Sequence, residues 1–168
     1  IFIYGVKALL AYRSCQQLKN TNLTDTPEIW RELFSKLATQ IGISKYIELR
    51  ISLHAITPCV IGYVKPIVML PFQLLLSMNQ QQIEAILLHE LAHVRRQDYL
   101  LGIIQLFVKS MFFFNPFLRW ISSQMDIERE HACDDMAVAI NQDPLLFSTT
   151  LKELAHMNNQ SLNNQQSI

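Results

Sequence analysis

Ile86-Leu87-Leu88-His89-Glu90-Leu91-Ala92-His93-Val94 decides how this 168-residue sequence folds. Ile83, Ile86, Leu87, Leu88, Leu91 and Val94 surround the three polar residues on nearly every side, which predicts a buried helix. On a helix, positions i and i+4 lie one above the other, so His89 and His93 share a face one turn apart. That spacing suits two imidazoles on one tetrahedral Zn²⁺. Glu90 lies about 100° further round, near enough to reach a water at the metal without being a ligand. From five His and eight Glu, a chance His-Glu-x-x-His is expected in roughly 0.7% of such chains. A surface helix carrying these residues by accident is the poorer reading, because buried His and Glu need partners.

Elements are legible on both sides. Ser77-Met78-Asn79-Gln80 matches a capping box and opens the motif helix, which runs to about Arg96. Tyr99 to Phe114 is very apolar, broken only by Gly102, Gln105, Lys109 and Ser110, and Asn115-Pro116 ends it. At 16 interrupted residues it suits a core or interfacial helix better than a membrane span. Lys109 shares a helical face with Gln105, as part of a polar stripe or as a lysine snorkelling from a membrane-apposed helix. A second long helix covers about Leu118 to Ile140. A last one starts at Asp143-Pro144 with Phe147, Leu151 and Leu154 on one face.

Upstream, Thr26-Pro27-Glu28 reads as a helix start with a hydroxyl N-cap, and Gly42 as its terminator. Ile47 to Leu53 alternates strictly, the clearest strand in the chain. Cys59 to Tyr63 and Ile67 to Leu70 form two short apolar runs suited to a hairpin or an irregular edge. That edge offers a place for an extended peptide, although a hairpin that only closes the core reads the same.

A catalytic zinc wants a third protein ligand. The acid-rich stretch Asp126-Ile127-Glu128-Arg129-Glu130-His131-Ala132-Cys133-Asp134-Asp135 is the place to seek it. Asp126, Glu130 and Asp134 form an i+4 stripe of mutually repelling acids that needs a positive partner opposite. One acid would ligate the metal and another accept the outer N–H of a ligating histidine. Spacing alone leaves Asp126, Glu128, Glu130 and Asp134 open, with His131 and Cys133 as further ligands. Asp98 either buttresses the motif helix or pairs with Arg95 or Arg96. His131 and Tyr63 are candidate oxyanion stabilisers, and His54 and His156 read as structural or exposed.

Composition bounds the class. Fourteen Lys+Arg balance fourteen Asp+Glu, which argues against a nucleic-acid binder. Apolar residues reach 50% and charged ones 17%, below the roughly 25% of ordinary soluble domains. Three dispersed cysteines, Cys15, Cys59 and Cys133, favour a reducing compartment over a disulfide framework. With only four Gly and six Pro, helices should dominate. Ile1 to Tyr12 is apolar but too short to span a bilayer, and Arg13 and Lys19 follow it. It reads as an amphipathic helix or as the end of a membrane helix cut short.

The His89–Tyr99 segment, Phe113-Phe114-Asn115-Pro116 and Glu128–Asp135 together resemble the BlaR/MecR-type membrane zinc metallopeptidases, metallopeptidase family 56. Pro58 to Pro71 is similar to the Gly-x-x-x-Pro-x-x-x-x-Pro segment that precedes the zinc helix there. The resemblance covers about Leu37 to Leu154. It implies an α+β, zincin-like (gluzincin) core adjoining membrane helices, with Zn²⁺ on His89, His93 and Glu130. It makes Asp134 the acceptor for a zinc-bound histidine and Glu90 the general base. It also turns the first residues into a membrane-helix stub: 1–20 stub and basic juxtamembrane segment, 21–157 peptidase domain, 158–168 polar, disordered tail. No Ser-x-x-Lys acylation motif occurs in these residues, so β-lactam sensing is not implied for them.

The expectation is a zinc endopeptidase of the bacterial inner membrane, facing the cytoplasm and touching lipid through flanking helices. Its partner would be a protein substrate, by analogy a transcriptional repressor or the protein itself, with no nucleic acid. Two rival readings are a signalling module with structural zinc, and a membrane quality-control peptidase of the HtpX/Ste24 type.

Overall fold

The computed structural model describes residues 23–24, 26–53, 55–62 and 65–166, with side chains at 26–157 of that set. The expected stub at 1–20, Cys15, His54 and Tyr63 lie outside the described residues. The described chain is α+β: β1 (Leu23–Thr24), α1 (Glu28–Gln40), β2 (Glu48–Ser52), β3 (Cys59–Ile61), β4 (Ile67–Pro71), α2 (Phe72–Ser77), α3 (Gln80–Arg96), α4 (Asp98–Met111), α5 (Pro116–Asn141) and α6 (Pro144–Gln166). α6 continues into the Asn/Gln/Ser-rich stretch, its backbone helical as far as Gln166.

The strands form one mixed sheet in the order β1-β2-β4-β3. β3 and β4 make the expected hairpin, antiparallel with Val60 opposite Val68, while β2 runs parallel to β4 with Leu49 opposite Val68. Gly62 makes the hairpin possible: its φ is +91°, and a Cβ there would meet the Lys65 carbonyl oxygen at 2.9 Å. β4 is central and buried along its length, so successive side chains serve opposite faces. Val68 and Leu70 join the main core with α3, whereas Ile67 and Met69 pack with Ile61 in a smaller cluster.

α3 is the axis of the molecule. It packs chiefly against α5 and also against α1, α4 and α6. Ile83, Ile86, Leu87, Leu88 and Leu91 are fully buried along it. Truncating such a leucine to alanine would cost about 2–5 kcal/mol.

Two helix starts differ from expectation. The capping box exists but lies two residues later: Asn79 accepts from the Gln82 N–H, and Gln82 accepts from the Asn79 N–H. Ser77 instead ends α2, where its hydroxyl donates to the Gln73 carbonyl. The Thr26 hydroxyl does not cap α1. It donates 2.8 Å to the Leu49 carbonyl, because a buried hydroxyl beside β2 finds its partner there, and Pro27 takes the cap position. Asp143 caps the last helix through the Leu146 N–H, and Phe147 is buried beneath it.

Candidate metal centre

α3 presents His89 and His93 one turn apart toward α5, with ring centroids 4.8 Å apart and edge-to-face. Their Nε2 atoms are 3.2 Å apart. Glu130 Oε2, from α5, lies 3.5 Å from His89 Nε2 and 3.8 Å from His93 Nε2. Three ligands on a tetrahedral ion at about 2.0–2.1 Å stand about 3.3 Å from one another. The triangle of 3.2, 3.5 and 3.8 Å is therefore of the right size to close on one small cation. Glu130 is 57% exposed, so the open side of this triangle faces solvent.

Each histidine is backed by its own carboxylate. His89 Nδ1 lies 2.9 Å from Asp134 Oδ1, one turn beyond Glu130 on α5. His93 Nδ1 lies 2.9 Å from Asp98 Oδ2. The hydrogen bond to Asp98 fixes the proton on His93 Nδ1 and turns its Nε2 lone pair toward the triangle, whereas Asp134 is close to His89 Nδ1 without a hydrogen bond of good geometry. Burial first, then the neighbouring His93, holds the His89 pKa below its usual value, against the pull of Asp134 and Glu130. The neutral, ligating form is thereby favoured.

Asp98 reaches His93 because of one backbone feature. Gln97 ends α3 and precedes α4 in the left-handed conformation, with φ of 58°, so the chain turns sharply and α4 begins beside the last turn of α3. Asp98 is 6% exposed, and Arg96 Nε donates to its Oδ1 at 3.4 Å. The Cys133 thiol donates to its Oδ2 at 3.3 Å. Burial and that acceptor push the Cys133 thiol up to about 12. Cys133 is thus a neutral partner of Asp98, placed on the Nδ1 side of His93.

Glu90 sits beside the triangle on α3. Burial raises its carboxyl to about 7, with repulsion from Glu130 adding and His93 opposing.

The acids left open by spacing now separate. Glu130 alone of the four faces both histidines within ligand range. Asp126 is engaged elsewhere, with Arg129, Lys109 and Gln105. Glu128 and His131 are exposed, and Asp134 supports His89. Asp98 pairs with Arg96 and buttresses His93 at once, so both functions weighed for it hold. The thiol on Asp98, and Phe147 lying 6.4 Å from the His89 ring, had no signal in the sequence, because both depend on long-range packing.

The family described as BlaR1 peptidase M56 matches residues 1–164. The chain is 30% identical over 122 residues to the methicillin resistance mecR1 protein of Staphylococcus aureus, covering 71% of this chain and 21% of that one. It is 26% identical over 140 residues to the regulatory protein BlaR1 of Bacillus licheniformis, covering 80% and 23%. It thus spans about a fifth of the length of these curated relatives. With the match running through both the histidine helix and the acid helix, the chain belongs to the BlaR1 peptidase M56 family.

Proposed function

We propose that this chain is the catalytic part of a zinc-dependent endopeptidase acting in regulated proteolysis at the bacterial inner membrane, with its catalytic side in the cytoplasm. The substrate class is a cytoplasmic or membrane-proximal protein, including a transcriptional repressor or the protein itself. The observation that carries this reading is the triangle of His89 Nε2, His93 Nε2 and Glu130 Oε2 with Glu90 beside it.

His89, His93 and Glu130 would hold the ion, which when bound supplies Lewis-acid polarisation of a carbonyl and acidifies water. Asp98 keeps the His93 imidazole in the Nδ1–H tautomer, and Asp134 stands 2.9 Å from the corresponding atom of His89. Glu90 accepts the proton of the attacking water and delivers it to the departing amine. The open face beside Glu130 is where a peptide carbonyl would arrive.

Glu90→Gln in the whole protein tests this. Zinc content should stay at the wild-type level while cleavage of the protein itself or of a co-expressed partner is lost. Unchanged cleavage would sink the mechanism and favour a structural metal.

A further inference from the structure

α4 is built inside out. Its buried residues are Asp98 and Gln105, while Ile103, Ile104, Phe107 and Met111 are each exposed. Asp98, Gly102, Gln105 and Lys109 recur at i, i+4, i+7 and i+11, one polar stripe turned inward. Within the α4–α5 pair that stripe meets polar groups. The Gln105 amide donates to the Ser122 carbonyl at 2.8 Å and to Asp126 at 2.9 Å, and accepts from Arg129. Lys109 Nζ stands 3.4 Å from Asp126. The turn into α5 continues the outer apolar surface with Phe114 at 70% exposure, Phe117 at 62% and Trp120 at 59%. A helix that hides amides and charges while exposing aliphatic side chains has reversed the arrangement water selects. Its outer medium must be apolar.

Charge indicates which apolar medium. Residues 99–125 contain no acid; of their two cations Lys109 turns inward to Asp126 and Arg119 is exposed beside Trp120. Exposed aromatic residues with a cation among them and no carboxylate suit an anionic bilayer interface. α4 has 14 residues, about 21 Å of helix, and among the described residues no helix is long and apolar enough to cross a membrane. It can therefore lie in the interface but not span it.

We propose that the α4–α5 hairpin is a membrane-seating surface, with its Phe112–Trp120 tip inserted among anionic lipid headgroups. Ten residues of α5 separate Trp120 from Glu130, so the metal centre stands about 15 Å along the helix from the inserted tip. Substrate segments close to the bilayer surface are the ones within its reach. The exposed residues of this surface, from Ile103 to Trp120, are distinct from Asp98, Glu130 and Asp134, which face the histidines from the same two helices.

The test uses the full chain, diluted from detergent onto vesicles of phosphatidylcholine with about a third phosphatidylglycerol. Wild type should co-float with these vesicles, less with pure phosphatidylcholine and less at high salt. The double variant Phe113→Ser/Phe117→Ser should partition at least about tenfold less, since two exposed aromatic side chains lose their burial in lipid. In the Trp30→Phe background, Trp120 is the remaining tryptophan, and its fluorescence should be quenched by brominated lipid. Flotation unchanged in the double variant would overturn the proposal, since the apolar first residues would then account for binding. So would an unquenched Trp120. A wild-type dimer that the double variant abolishes, without vesicle binding, would replace the bilayer with a second copy of the chain.

Discussion

Asp98 Oδ2 lies 2.9 Å from His93 Nδ1, although the two residues sit on different helices separated by a single left-handed turn. The second histidine of the motif therefore has a carboxylate of its own, distinct from the one serving the first. Removing it should free the imidazole to rotate. Asp98→Ala is expected to weaken zinc binding by about 10–100-fold, with Asp98→Glu partly restoring it. Competition with a chelating zinc indicator measures this, and wild-type affinity in Asp98→Ala would refute the assignment.

Glu130 supplies the third corner of the triangle from α5. Glu130→Ala should lose most bound zinc while leaving the far-ultraviolet circular dichroism unchanged, because the side chain is exposed and carries no core packing. Full zinc occupancy by elemental analysis would move the ligand to a neighbouring acid.

Glu90 has a sign that stability measurements can read. Its folded value, about 7, lies above the ordinary 4.5. The fold thus disfavours the ionised form, and stability falls as pH climbs from about 4.5 to about 7. In chelator, Glu90→Gln should be more stable than wild type at pH about 8, by as much as about 3 kcal/mol, and nearly equal at pH about 4.5. Equal melting temperatures at both pH values would remove the desolvation account.

Cys133 is buried, with its thiol held near 12. Iodoacetamide should leave it unlabelled in the native chain and label it in denaturant, as read by peptide mass spectrometry. Rapid native labelling would mean that Asp98 is not its partner.

Gly62 tests the hairpin apart from the metal. Gly62→Ala places a Cβ 2.9 Å from the Lys65 carbonyl at a φ of +91°. A loss of about 1–3 kcal/mol in urea unfolding is expected. A change below about half a kcal/mol would show that the turn adjusts freely.

Local chemistry explains which parts of this molecule could be read from residues in order. The motif helix, the alternating strand at Ile47–Leu53, the hairpin and the Asp143-Pro144 start each carry their signal within a few positions, and each appears. α2 was not legible, because six residues are too few to show a helical period. Thr26 and Ser77 looked like caps but bond elsewhere, since a hydroxyl takes whichever acceptor the fold brings nearest. Spacing narrows the candidates for a third ligand to a group of acids. Only the α3–α5 packing distinguishes Glu130, facing two imidazoles, from Asp126, facing Lys109 and Arg129. The polar stripe of α4 is legible in the spacing of Gln105 and Lys109, but its turning inward onto Ser122 and Asp126 depends on the packing of α5.

The turn at Gln97 also sets the two ends of α4 at very different distances from His93. Asp98 is the first residue beyond it and Met111 the last of the helix, about 20 Å away. A 10° swing of α4 about that point would carry the far end about 3.5 Å but Asp98 only a few tenths of an ångström. The carboxylate beside His93 thus sits at the end of α4 that such a swing would displace least, and the apolar tip at the end it would displace most. Asp98 would therefore keep its place at His93 through such a swing, while any coupling between the tip and the histidines would run through α5, the continuous helix that carries both Trp120 and Glu130.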